Sequence, residues 1–258
     1  MICSLPNFSR ISLARRTTLL LLMNVVLFFG LSASEALGQK RFSRTYPATT
    51  NVRLQLVNRS GTVTVEGWDR PEIGISAWLD APAATVIPHS LSGTILIDVV
   101  RENQGRNVGV VNFTIRVPRS SSVDIETRIG NLSVTNVSGG LVRAIVSTEG
   151  DITLTNIAAV AVDAQNGIGD IFFDGEMRGG GHYRFSSMKG SISLRIPFES
   201  SFRLVATAPS TRSIDLGPFR GGSMRFVSEG RRVFGQASDG QASLTVTNQR
   251  GSISFLRR

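Results

Sequence analysis

Six times in this chain a glycine is followed by polar, apolar, polar, apolar: Gly61-Thr62-Val63-Thr64-Val65, Gly130-Asn131-Leu132-Ser133-Val134, Gly150-Asp151-Ile152-Thr153-Leu154, Gly169-Asp170-Ile171-Phe172-Phe173, Gly190-Ser191-Ile192-Ser193-Leu194 and Gly251-Ser252-Ile253-Ser254-Phe255. The four middle glycines are separated by twenty, nineteen and twenty-one residues. A short strand that returns after a fixed length of chain is the signature of a solenoid. A second apolar pair recurs seven and five residues before most of these glycines, at Leu54/Leu56, Val123/Ile125, Val162/Ala164, Tyr183/Phe185 and Leu244/Val246. Each repeat thus carries two inward-facing strands joined at a glycine, with a weaker third side suggested by Val137 and Ile157. The pattern predicts an all-β chain: a single-domain parallel β-solenoid with coils of roughly 20 residues, preceded by a β-hairpin region.

A five-residue strand cannot bury its apolar face alone, but stacked coils give every apolar side chain a like neighbour above and below. Gly61, Gly130, Gly150, Gly169, Gly190 and Gly251 are read as corner residues, supplying a positive φ or room for close backbone approach. Arg143 falls where Val162 and Tyr183 sit in later repeats. Either the arginine points outward or the corner shifts by one residue, with Val142, Ala144 and Val146 as the inward set; the shift is expected, because an unpaired guanidinium inside an apolar core costs roughly several kcal/mol.

At the N-terminus, Arg10, Arg15 and Arg16 precede an apolar run from Leu19 to Phe29, followed by the small and polar stretch Ser32 to Gly38. This is the layout of a signal peptide over residues 1–38, with Ala36 and Gly38 at the positions read by a signal peptidase and Gln39 as the new N-terminus. The apolar run is shorter than the ~20 residues needed to cross a bilayer, so the mature form is expected to have no transmembrane span. Cys3, the only cysteine, lies in the part to be removed, which leaves neither a disulfide nor a lipidation site. An exported protein without disulfides points to a bacterial envelope: periplasm, cell surface or the extracellular space.

The net charge is +9, and +7 without residues 1–38, which hold three arginines and one glutamate. The cations are nearly all arginine and form no block along the sequence. No nucleic-acid partner is expected, because aromatics interleaved in a basic stripe are not evident and no recognition motif is present.

Residues 39–50 read as a leader and 51–258 as the solenoid domain. The alternations at Ile95/Ile97/Val99 and Val111/Phe113/Ile115/Val117 flank a polar stretch and read as a hairpin with a long loop. Asp80 to Ser90, with Pro82 and Pro88, reads as a loop, and the glycine- and arginine-rich segment 217–240 interrupts the period.

The chain also carries Val57-Asn58-Arg59-Ser60-Gly61, Trp68-Asp69-Arg70-Pro71, Ile115-Arg116-Val117-Pro118 and a closing Gly251-Ser252-Ile253-Ser254. In these, over roughly residues 50–256, it resembles the bacterial putative-adhesin domain of unknown function. The resemblance implies an exported β-solenoid and no catalytic residues. Its motifs are turns and strands, and they speak to fold rather than to activity.

His89 and His182 stand on different segments without ligand spacing, and no Gly-x-Ser-x-Gly, His-Glu-x-x-His or phosphate-cradling loop is present. No catalytic residue, metal site or cofactor is therefore assigned. Asn131, Asp151, Asp170 and Ser191 follow successive glycines and should stack about 5 Å apart. Such a ladder either hydrogen-bonds the turn backbone or, with nearby carboxylates, bridges a cation such as calcium. The expected function is a non-catalytic exported module, adhesin-like, that binds an envelope polymer, a surface or a protein. The alternative is a polysaccharide-active β-helix lyase or hydrolase, which needs several carboxylates converging on one face.

Overall fold

A computed structural model describes residues 40–209, 213–221 and 223–258. The expected signal peptide, with Ala36, Gly38 and Gln39, lies outside the described residues. The alternating pattern is realised as strands, numbered β1 to β21 along the chain and divided between two sheets. The ten-stranded sheet contains β1 (Lys40–Pro47), β3 (Val63–Trp68), β4 (Glu72–Leu79), β7 (Val111–Pro118), β9 (Leu132–Thr135), β11 (Ile152–Ile157), β13 (Ile171–Gly175), β15 (Ile192–Ile196), β17 (Ile214–Asp215) and β21 (Ile253–Arg257). The eleven-stranded sheet contains β2 (Arg53–Ser60), β5 (His89–Leu91), β6 (Thr94–Asp98), β8 (Ser122–Ile129), β10 (Leu141–Glu149), β12 (Ala161–Ile168), β14 (His182–Lys189), β16 (Phe202–Thr207), β18 (Arg225–Val227), β19 (Arg232–Ala237) and β20 (Ala242–Asn248). One helical turn, α1 (Val99–Glu102), is capped by the Asp98 side chain on the backbone of Arg101.

From β8 to β15 successive strands alternate between the sheets, and every pairing among them is parallel. Leu132, Ile152, Ile171, Ile192 and Ile253 share one register row, and all are buried. In the other sheet Leu54, Val123, Val142, Val162, Tyr183 and Leu244 do the same. Each such side chain contributes about 2 kcal/mol of transfer free energy, which is why like residues recur. Rings fill the distal half of the core: Phe173 packs on Phe185 at 5.0 Å, and Phe202 on Phe219 at 5.2 Å. Val137 and Ile157 are buried as well, and their carbonyls accept from the amides of Ala158 and Glu176.

Arg143 points outward to Asp124 at 2.9 Å, while Val142, Ala144 and Val146 fill the core. A register shift between Val146 and Glu149 absorbs the extra residue.

The ends differ from the sequence expectations. Strands β6 and β7 form no hairpin with one another: β6 lies beside β2 in one sheet and β7 beside β3 and β4 in the other, with α1 in the crossover. Antiparallel pairing occurs instead at β5 with β6, β1 with β4, and β4 with β7. Most of the leader is strand β1 at the edge of the ten-stranded sheet. In the 217–240 segment a single 3-10 turn, Gly217–Phe219, leads to β18 and β19, which pair antiparallel and extend the other sheet past β16.

Candidate functional site

The glycines of the repeat meet one another directly. Gly61, Gly130, Gly150, Gly169, Gly190 and Gly251 have φ between 120° and 150°, a region that favours glycine. A Cβ on Gly130, Gly150, Gly169, Gly190 or Gly251 would lie 1.8–2.3 Å from the carbonyl oxygen of the glycine one row below. The residues after them form the anticipated ladder. Asn131 accepts from the amide of Asp151 at 2.9 Å, Asp151 from that of Asp170 at 2.8 Å, and Asp170 from that of Ser191 at 2.6 Å. The backbone thus occupies one carboxylate oxygen of each aspartate, as turn preference alone would have it. Among the described residues no group of three or more His, Cys, Asp or Glu stands close enough to hold a metal ion. His89 sits 3.2 Å from Glu102, and His182 is exposed at the start of β14.

Inside the same turns is a set of polar residues that the sequence reading passed over. The Asn166 amide donates to the Gly150 carbonyl at 2.8 Å, Asn248 to that of Gly190 at 2.7 Å, and Asn58 to that of Val111 at 3.0 Å. All three are buried. The signal was available, since a polar residue stands three positions before every repeat glycine: Asn58, Thr127, Ser147, Asn166, Ser187 and Asn248.

The two outer faces have different chemistry. On the eleven-stranded sheet Asp124, Arg143, Asp163 and Arg184 are consecutive register partners, so charge alternates from strand to strand. On the ten-stranded sheet the corresponding central row reads Ser43, Ser76, Thr114, Thr64, Ser133, Thr153, Phe172, Ser193 and Ser254. At ~4.8 Å per strand this hydroxyl-bearing row extends about 38 Å. Its members are partly or fully exposed, and Ser193 and Ser254 touch oxygen to oxygen at 3.0 Å. Beside it, carboxylates are held in ion pairs: Glu66 with Arg116 at 3.2 Å, and the buried Asp174 with Arg195 at 2.6 Å and Arg258 at 3.2 Å. The Asp174 carboxylate drives the Arg195 guanidinium further above its ordinary pKa, chiefly through their hydrogen bond.

Where the row reaches its antiparallel end, it opens into a cleft of about 460 Å³ lined by β1, β3, β4 and β7. Trp68 and Trp78 bracket a floor of Ser43, Ser76 and Thr114. Arg41 lies 4.9 Å above the Trp78 ring, and Arg70 and Arg116 lie 5.1 and 5.7 Å from that of Trp68. The Trp68 indole N–H donates to the Glu72 carbonyl at 2.8 Å, which fixes the ring. The premise that aromatics and cations do not interleave fails here. They come from four separate segments, and only strand pairing brings them together.

No family model matches the chain, and no curated protein matches it. Among solved structures it is similar to a putative cell adhesion protein from Clostridium sporogenes ATCC 15579, with a TM-score of 0.49 and 9% identity over 86% of this chain and 100% of that one. It is similar also to a putative adhesin from Bacteroides fragilis NCTC 9343, with a TM-score of 0.37 and 11% identity over 85% and 99% of the two chains. A putative lipid binding protein from Parabacteroides distasonis ATCC 8503 follows, with a TM-score of 0.34 and 11% identity over 84% and 97%.

Proposed function

We propose that this chain is an exported, non-catalytic binding module of the bacterial envelope, working in the periplasm, at the cell surface or outside the cell. Residues 1–38 are its signal peptide, and residues 51–258, extended by β1, form a β-solenoid of roughly 20-residue coils with the repeat glycines at its corners. The observation that carries the binding role is the outer face of the ten-stranded sheet, where one row presents Ser or Thr on eight of nine successive strands. Hydroxyls fixed at strand spacing on a rigid sheet form a surface that an extended polymer can follow with repeated hydrogen bonds at little ordering cost. The acidic residues favour binding over catalysis. Asp151 and Asp170 hold turn backbone, and Glu66, Asp124 and Asp174 neutralise arginines.

Retention of the purified protein by cell-envelope fractions tests this reading. Thr64→Glu and Ser133→Glu, which place longer charged side chains in the row without entering the core, are expected to lose retention while the circular dichroism spectrum is kept. Unchanged retention in both variants overturns the assignment of the face. Saturable turnover of an acidic polysaccharide overturns the non-catalytic role.

A further inference from the structure

In the cleft between Trp68 and Trp78, positive charge, ring surface and hydroxyls converge at one end of the hydroxyl row. Among the described residues Arg41 has no carboxylate within ion-pairing distance, and its guanidinium rests on the Trp78 ring at 4.9 Å. A guanidinium stacked on an indole has one face covered and its orientation restricted, while the N–H groups along its edge stay free. That edge matches the two oxygens of a carboxylate in a bidentate pair. Arg70 lies on Trp68 at 5.1 Å with its side chain 70% exposed, and one of its nitrogens pairs with Glu72 at 3.5 Å, which leaves the rest of its N–H edge open to a second carboxylate. Between the two cations lie the hydroxyls of Ser43, Ser76 and Thr114.

Resting on the binding role proposed above, we infer that this cleft is the anchoring subsite for an acidic polysaccharide, with Arg41 and Arg70 taking carboxylates of uronic acid residues and the three hydroxyls bonding to the sugar between them. A stacked nucleobase needs an open ring face, and guanidinium groups cover faces of both indoles. A lipid surface selects for apolar side chains around the basic groups, whereas this floor is made of hydroxyls. The row also continues from the cleft across the sheet, which suits an extended polymer better than a single headgroup.

The test compares binding of the purified protein to polygalacturonate, to its fully methyl-esterified form, to phosphatidylglycerol vesicles and to an oligothymidylate. Polygalacturonate is expected to bind at least tenfold more tightly than the esterified polymer and than the other two probes. The double variant R41Q/R70Q is expected to lose at least tenfold. R41K, which keeps the charge and loses the fork, is expected to recover less than half of the loss caused by R41Q. Both positions are exposed, and a circular dichroism spectrum unchanged from wild type checks the fold. Equal binding of the two polymers, unaltered affinity in R41Q/R70Q, or preference for vesicles or oligothymidylate overturns the assignment. If envelope fractions retain the protein and polygalacturonate does not bind, the subsite assignment falls and the wider binding role stands. If neither binds, both fall.

Discussion

A Cβ built on Gly150 would lie 2.2 Å from the Gly130 carbonyl oxygen, and one on Gly190 would lie 2.0 Å from that of Gly169. These are rigid backbone atoms that cannot step aside. With φ of 145° and 136°, the two glycines also hold a conformation that β-branched residues avoid. Gly150→Val and Gly190→Val are therefore expected to destabilise the fold by more than about 3 kcal/mol, since clash adds to backbone strain. Thr153→Ala and Ser193→Ala, which sit on the outer face, should change it by a few tenths of a kcal/mol, roughly. Equilibrium denaturation of the four variants measures the contrast, and equal midpoints would remove the glycines from the corner role. These glycines were legible in the sequence because their spacing is nearly constant. Asn136 and Asn156 were not read, although each stands six residues after a repeat glycine. They adopt φ of 60° and 53°, and the Asn156 amide donates to the Asn136 side-chain oxygen at 2.7 Å. Asparagine is among the few residues other than glycine that take a left-handed turn, through local hydrogen bonding of its short side chain, but its presence in a sequence does not announce one as glycine's does.

At the scale of strands, apolar alternation says which side of a segment faces the core. It does not say which sheet the segment joins. β6 and β7 alternate in the same way and are separated by a polar stretch, so they resemble a hairpin, yet they serve different sheets. In the middle of the chain the repeat length removes that ambiguity, because a parallel partner must lie one full repeat away. The cleft was illegible for a related reason: Arg41, Trp68, Trp78 and Arg116 are brought together only by the antiparallel pairing of β1, β4 and β7 and the parallel pairing of β7 with β3. Just beyond the ends of β3 and β7, Asp69 and Arg119 pair at 2.7 Å. The hydrogen bond from Arg119 holds the Asp69 carboxyl below its ordinary value of 3.8. A carboxylate whose folded pKa is depressed adds stability above the unfolded pKa, and that share is lost as pH falls through the folded pKa. Asp69→Asn should thus lower the denaturation midpoint slightly at pH 7 and show a smaller drop than wild type when the pH is taken from 5 to below 3.8. Because the pair is exposed, 1 M salt should erase most of the difference. A wild-type acid limb that overlays the variant's at low ionic strength would assign the pair no role in stability.

At the scale of the whole molecule, the outer faces of the two sheets have unlike chemistry. One outer face alternates aspartate and arginine, and there Asp124 pairs with Arg143. The other offers hydroxyls and ends in the arginine–tryptophan cleft. Export is tested at this scale as well. Mass spectrometry of the protein isolated from its native cells should find an N-terminus near Gln39, and an intact Met1 would refute the signal-peptide assignment. Among the described residues no helix is long and apolar enough to cross a membrane.

In the distal third, strand order in space departs from order along the chain. β20 lies between β14 and β16, and β21 between β15 and β17, so two late strands are inserted between earlier ones. Until residues 242–257 are available, β16 and β17 have no path to the rest of either sheet, and β14 and β15 each present an open edge. Completion of the distal third is consequently tied to the arrival of residues 242–257. The irregular segment 217–240 stands between those two edges and the strands that close them, so its length sets how far along the chain the distal core is sealed.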